Sequence, residues 1–218
     1  MTYKLYNRLG SGGFVVEAAL SMCGEPFELI SIDSTPGTEL PESFRDINPW
    51  RQVPVLITRD GTLMTESAAM LIFLATRDQS GVLGPAVDQP EYAELVRWLV
   101  FLSANAYEAI VRKGYPHRFT TDAEATDGVV AAARLRAQSA FQVIDDQLQN
   151  ADYLVGNRFS VADLYLAMLY AWHYDDRACP RCRALTHRIA ADDRIAPLWR
   201  RNFDHRLKVK WGREVDAS

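Results

Sequence analysis

Three short stretches of the 218-residue sequence carry residue types able to do chemistry. Gly10-Ser11-Gly12-Gly13-Phe14 puts a lone hydroxyl in a flexible, glycine-rich turn just ahead of apolar residues at helical spacing. A hydroxyl and main-chain N–H groups therefore meet at a helix start, where the orphan donors and the dipole favour an anion. Glu66-Ser67 opens a second amphipathic stretch and offers the same donors beside a carboxylate. Alone, such a pair is most simply an N-cap. Cys179-Pro180-Arg181-Cys182 is a Cys-x-x-Cys at a third helix start, a place that lowers a thiol pKa. With His173 and His187 nearby it also raises zinc, but a single pair with irregular histidine spacing is weak evidence for a metal. Redox pairs of this kind follow the first strand of a β-α-β unit, whereas this one lies in a helical region. Incidental helix-start residues are the better reading, and no metal is expected. Cys23 reads as a buried small hydrophobe.

The elements that must position these residues follow from periodicity. Tyr3 to Tyr6 is a short β-prone run. Phe14, Val15, Ala18, Ala19 and Met22 recur at helical spacing until Gly24, a natural stop. Phe27 to Ile32 alternates as a strand, and Pro41 to Ile47 reads as a short irregular helix. Val53 to Ile57 and Thr62 to Met64 are strands joined at Asp60-Gly61, a hairpin signal. Glu66 to Thr76 is an amphipathic helix. The order β-α-β-α-β-β-α implies a parallel pair followed by an antiparallel hairpin edge. Beyond residue 90 the pattern is all helical: Tyr92 to Val111, Asp127 to Leu148, Val161 to Trp172, Pro180 to Ala191 and Ile195 to Phe203. Ser160-Val161-Ala162-Asp163 fits a capping box that opens the third of these, with Asp163 in a structural role. Two glycines and two prolines between Gly81 and Pro90 read as a linker. The expected organisation is a first domain over 1–80, a linker over 81–89 and a helical domain over 90–218.

Composition excludes several functions. Hydrophobic residues make up 48% and charged residues 24% of the chain, an ordinary globular mixture. The net charge of −4 sits entirely in residues 1–80, which hold 6 Lys/Arg against 10 Asp/Glu; the remainder holds 18 of each. A net acidic chain is a poor partner for nucleic acid or anionic membranes. Apolar runs such as Leu164 to Ala171 fall short of the roughly 20 residues a membrane span needs. The first eight residues show no apolar signal region, and three cysteines do not make a disulfide framework. The expectation is a soluble cytoplasmic protein. The basic segment Arg206 to Trp211 reads as a solvated terminus.

Three motifs together resemble one family. Asn48-Pro49-Trp50-Arg51-Gln52-Val53-Pro54-Val55-Leu56 resembles the Asn-Pro-x-Gly-Gln-Val-Pro-x-Leu signature of cytosolic glutathione transferases. Thr65-Glu66-Ser67-Ala68-Ala69-Met70 is similar to the family's Glu-Ser-x-Ala-Ile element, and Tyr153 to Asp163 to the capping box of its helical domain. The resemblance implies a thioredoxin-like N-terminal domain, an α-helical C-terminal domain, a homodimer, and glutathione as co-substrate for attack on a hydrophobic electrophile, a peroxide or a disulfide. It implies a cis Val53-Pro54 peptide whose Val53 backbone pairs with the cysteinyl unit of glutathione. It also implies that Glu66 and Ser67 hold the γ-glutamyl end. Gln52 would add an amide contact. Arg51 stands where the family usually has glycine, and would either reach a substrate carboxylate or sit in solvent.

The family positions that carry the thiol-activating Cys or Ser fall here on Gly12 and Gly13. Either Ser11 donates to the thiolate, or the N–H groups of Gly12, Gly13 and Phe14 do so without a side chain. The second substrate would lie between the domains against Asn105, Tyr107, Tyr115, His117 and Trp172. The alternative is a glutathione-binding regulatory or structural protein with little catalysis. A redox or zinc role for Cys179 and Cys182 is the least supported.

Overall fold

Tyr3, Leu5 and Asn7 point inward on β1 (Tyr3–Asn7) and alternate with more exposed neighbours, the period-two pattern that a half-covered strand imposes. In this computed structural model, which describes residues 2–32, 40–173 and 178–210 (the last seven as backbone), β1 pairs in parallel with β2 (Phe27–Ser31). Between them runs α1 (Gly13–Met22), buried from Gly13 through Leu20. Gly24, at φ 67°, ends it: its N–H reaches Ser21 O, and the Glu25 N–H reaches Leu20 O at 3.0 Å. Only a residue at ease in the left-handed region closes a helix this way. β3 (Val55–Ile57) and β4 (Leu63–Met64) form the antiparallel edge, giving the order β2-β1-β3-β4. Gly61, at φ 87°, makes the turn between them. The expected irregular helix at 41–47 is a 3-10 turn over Glu42–Asp46. Its Phe44, with Leu40 and Val55, forms a small core under Tyr6, Ile32, Ile47 and Val53.

The chain divides into two units: residues 1–70 with those from Ile189 onward, and Leu71–Arg188. The division falls within α2 (Ser67–Arg77) and within α7 (Pro180–Ala191). In the first unit α8 (Ala196–Lys210) packs its Trp199 and Phe203 rings edge-on to Phe14 of α1, at 5.7 and 4.9 Å. The backbone of α8 runs past the expected end at Phe203; the side chains of the basic segment from Arg206 lie outside the described residues.

The second unit is helical. The single rod expected over Tyr92 to Val111 is three pieces: α3 (Glu91–Phe101), a π-helical stretch Leu102–Tyr107, and α4 (Glu108–Gly114). No glycine or proline marks the change, so composition does not report it. α5 (Thr126–Gln147) and α6 (Val161–His173) follow. α6 is buried on every side from Val161 to Tyr170, the mark of a central helix. Half of the expected capping box forms: Asp163 reaches back to Ser160, but the Ser160 hydroxyl donates to that carboxyl, and the Asp163 N–H goes to the Ser160 carbonyl instead of the hydroxyl. Asp163 accepts the N–H groups of Leu154 and Ser160, each at 2.8 Å, and the Ser160 hydroxyl at 2.9 Å. Among the described residues, no helix is long and apolar enough to cross a membrane.

Candidate functional site

The sheet register brings three segments to one end of the first unit. Tyr6 pairs with Val55 and Leu56 with Met64. Continued past the strand ends, that register sets Asn7 level with Pro54, and Pro54 level with Glu66. Each then leads into a stretch singled out by residue type: the Ser11 loop, the Val53-Pro54 peptide and the start of α2. The Val53-Pro54 peptide is cis.

Around Pro54 the main chain is shaped by Asn48. Its side chain donates to Gln52 O at 2.8 Å and accepts from the Trp50 N–H at 3.0 Å. This tight turn sets Arg51 at φ 52°, in the left-handed region. The Arg51 guanidinium donates to Leu40 O and pairs with Glu42 at 3.1 Å, so it fastens the preceding segment instead of standing in solvent. Gln52 is exposed. Among the described residues, neither the N–H nor the C=O of Val53 has a hydrogen-bond partner. An extended backbone can add there as a further strand would.

Glu66 precedes α2 at φ 65° and is exposed, with no partner for its carboxylate among the described residues. A non-glycine residue held in the left-handed region costs roughly 1–2 kcal/mol, and such residues gather where function requires them. The first helical bond of α2 runs from Met70 N to Glu66 O, which leaves the N–H groups of Ser67, Ala68 and Ala69 as orphan donors at a helix start. Glu66→Gly is expected to raise stability by about 1 kcal/mol, since glycine adopts this φ freely. It should weaken ligand binding at the same time, because the carboxylate is lost. Chemical denaturation beside a binding isotherm checks both.

The Ser67 hydroxyl donates to Gly12 O at 3.1 Å and so ties the start of α2 to the start of α1. In the α1 loop the Ser11 hydroxyl donates to Asn7 Oδ1 at 2.6 Å and accepts from the Gly13 N–H at 3.3 Å. The Arg8 N–H also donates to Asn7 Oδ1, at 2.8 Å, which identifies that atom as the amide oxygen. The single Ser11 proton therefore points inward. The Phe14 N–H is bonded to Ser11 O at 3.2 Å, and its ring belongs to the core. Of the three candidate backbone donors, Gly12 N–H alone has no partner among the described residues. Asn7 is a central residue that motif reading missed. Its signal was faint: a short polar amide closing a β-strand, where such residues are depleted.

In the second unit, the π-helical stretch carries Asn105 and Tyr107. π-turns recur at functional positions because an inserted residue re-aims the side chains around it. Tyr107 meets the Trp172 ring at 5.5 Å. Asn105 accepts from Arg136 at 2.5 Å and donates to Phe101 O at 3.1 Å. Tyr115 lies instead against His117, at 6.3 Å, with the Arg118 guanidinium over its ring.

Cys179 and Cys182 are buried and not joined by a disulfide. The helix start does not activate Cys182. The Cys182 thiol is pushed up, by its hydrogen bond with Cys179, by burial and by the nearby charge of Asp145. The carboxylate of Asp145 already satisfies that helix start, accepting the N–H groups of Arg181 and Cys182 at 2.7 and 2.9 Å. Among the described residues, no cluster of three His, Cys, Asp or Glu side chains could hold a metal.

A mixed four-stranded sheet carrying a cis-proline turn, followed by a helical unit, defines a thioredoxin-like domain joined to an all-α domain. The family described as "Glutathione S-transferase, N-terminal domain" matches residues 15–77, and "Glutathione S-transferase, C-terminal domain" matches residues 108–186. Glutathione S-transferase GstA of Escherichia coli O157:H7 is 26% identical over 172 residues, 78% of this chain and 82% of that protein. Glutathione S-transferase 2 of Schizosaccharomyces pombe is 28% identical over 177 residues, 79% and 75% of the two chains. A sphingomonad glutathione S-transferase solved in complex with glutathione superposes with a TM-score of 0.76 at 27% identity, over 90% of this chain and 97% of that one. The chain belongs to the glutathione S-transferase superfamily.

Proposed function

We propose that the protein is a glutathione transferase that binds glutathione where Asn7, Pro54 and Glu66 come level. One observation carries this: the unpaired main-chain donors and acceptor of that end, on Val53, Gly12 and the first turn of α2, suit an anionic peptide. The cysteinyl backbone pairs with Val53. The γ-glutamyl carboxylate takes the orphan N–H groups of α2, and its ammonium takes the Glu66 carboxylate. Gln52 reaches the remaining glycyl end. Arg51, already engaged, holds the loop beneath. These helix starts answer the ligand's negative charge within the acidic half of the chain.

The sulfur then meets the start of α1. A free thiol with a pKa of about 8.5 is mostly protonated at neutral pH and becomes a nucleophile only as thiolate. Of the two donors left open by the sequence, the geometry favours the Gly12 amide, because Ser11 gives its proton to Asn7. The bound thiolate attacks the electrophile, forming a carbon–sulfur bond as the leaving group departs with its electron pair. On a peroxide or disulfide it breaks the O–O or S–S bond instead. Proximity and a pre-aimed donor supply the acceleration. Tyr107 and Trp172, with Asn105, are the residues proposed to receive a small hydrophobic electrophile; Tyr115, turned toward His117, is the outlying member of that set. The protein is further read as a cytoplasmic homodimer. The indole of Trp50, 75% exposed, is the kind of surface that association covers.

The second reading, a glutathione-binding protein with little catalysis, draws on the same inward turn of Ser11. Retention on immobilised glutathione followed by a conjugation assay separates the two. Retention with turnover supports the transferase, retention without turnover supports the binding protein, and no retention overturns both.

A further inference from the structure

We infer that Asn202, on the last helix of the chain, is a positioning residue for the thiolate donor; the inference rests on the proposal that the Gly12 amide is that donor. Asn202 is fully buried. Its Oδ1 accepts the Gly10 N–H at 2.9 Å across a separation of 192 residues, and its Nδ2 donates to Leu198 O at 2.9 Å. A carbonyl at one end and an N–H at the other allow only one orientation of the amide. Both of its hydrogen-bonding ends are in use.

Gly10 is where the chain turns, at φ 69°, into Ser11 and Gly12. Glycines on both sides of Ser11 leave this loop with many accessible conformations. A donor at Gly12 acts on a forming anion only if its direction is fixed in advance. Asn7 fixes the loop from within the sheet through the Ser11 hydroxyl. Asn202 fixes it from the other side, and α8 is itself anchored by Phe14 against Trp199 and Phe203 and by the Glu17–Arg201 ion pair. On α1 the residues that meet α8 are Phe14 and Glu17, three apart and so on one helix face, while Gly10 is held from the turn that precedes the helix. The C-terminal helix thereby becomes part of the support of a site built in the first seventy residues.

The test is Asn202→Leu, which keeps the size of the side chain and leaves the Gly10 N–H unpaired, compared with Arg201→Gln, which loosens α8 without touching Gly10. For each variant, the thiol of bound glutathione is titrated by the ultraviolet absorbance of its thiolate, and the affinity for S-methylglutathione is measured separately. The expected result for Asn202→Leu is a rise in the thiol midpoint of about one pH unit, a tenfold change in ionisation, with little change in affinity for the S-methyl compound. Arg201→Gln should leave the midpoint where it is. A wild-type midpoint in folded Asn202→Leu, or equal shifts in both variants, would overturn the inference and leave the proposed function standing. Failure of the wild type to bind S-methylglutathione would instead remove the reading beneath it. Should Asn202→Leu not fold, Asn202→Thr carries the same expectation, because its hydroxyl bonds back to Leu198 and is too short to reach Gly10.

Discussion

Replacing Asp163 with alanine is expected to destabilise the protein by about 3–5 kcal/mol, the largest effect of any single change considered. The carboxyl is fully buried and gathers three donors: the Leu154 and Ser160 N–H groups and the Ser160 hydroxyl. Alanine removes the acceptor but leaves two main-chain N–H groups sealed from water, each costing about 1–3 kcal/mol. A hydroxyl can rotate to a new partner, but a backbone N–H cannot. Urea denaturation of wild type and variant measures the difference, and a loss under 1 kcal/mol would contradict this role.

The same carboxyl carries a pH signature. Burial pushes Asp163 up from 3.8 to about 7, against the pull of its three donors. The folded protein then holds this proton more tightly than the unfolded chain does. The resulting stabilisation is complete below about pH 4 and is lost as the pH rises through about 7. Asp163→Asn, which cannot titrate, should show a flatter stability across that window than wild type. A wild-type stability that rises relative to the asparagine variant between pH 4 and 7 would mean that the donors outweigh burial.

Gly13→Ala is expected to cost about 2–4 kcal/mol, although alanine is the better helix former by nearly 1 kcal/mol. An added Cβ would lie 2.1 Å from Asn7 Oδ1 and 2.3 Å from its Cγ. Asn7 cannot simply swing aside, because its oxygen holds both the Ser11 hydroxyl and the Arg8 N–H. Relief of the clash therefore breaks the network that orients the loop, so catalytic loss should accompany the loss of stability. A double-mutant cycle with Asn7→Ala isolates the contact. If the clash dominates, the pair is less destabilised than the sum of the single changes by more than about 1 kcal/mol. Strict additivity would show that Gly13 is needed for some other reason.

Much of this was legible in the sequence because it is set locally. Strand alternation, the stop at Gly24, the Asp60-Gly61 turn and the Ser160–Asp163 capping box each depend on residues within a few positions of one another. The Asn48 to Leu56 and Thr65 to Met70 motifs mark the end of the sheet where glutathione is proposed to bind, for the same reason. What stayed hidden depends on three-dimensional partners. Nothing around Ser11 says that its proton goes to Asn7, since that follows from how the chain folds back after β1. The Asn202–Gly10 contact joins opposite ends of the chain, and no local pattern encodes it. Cys182 looked activated at a helix start until its neighbours were in place: a second thiol and a buried carboxylate that already takes that helix's first N–H groups. The π-helical turn at 102–107 arises inside a sequence whose apolar spacing fits an ordinary helix.

On the function proposed above, the chain binds glutathione as a thiolate held by the main chain at the start of α1. Titrating the thiol of bound glutathione by ultraviolet absorbance, in wild type and in Ser11→Ala, tests it most directly. The expected midpoint lies well below the roughly 8.5 of a free cysteine thiol in both proteins, and Ser11→Ala raises it only in part, because the loop loses its tie to Asn7 while Asn202 still holds Gly10. Ser11→Ala should lose about 1 kcal/mol of stability for its hydrogen bond to Asn7. An unshifted midpoint in wild type, or a shift present in wild type and abolished in Ser11→Ala, would contradict the claim.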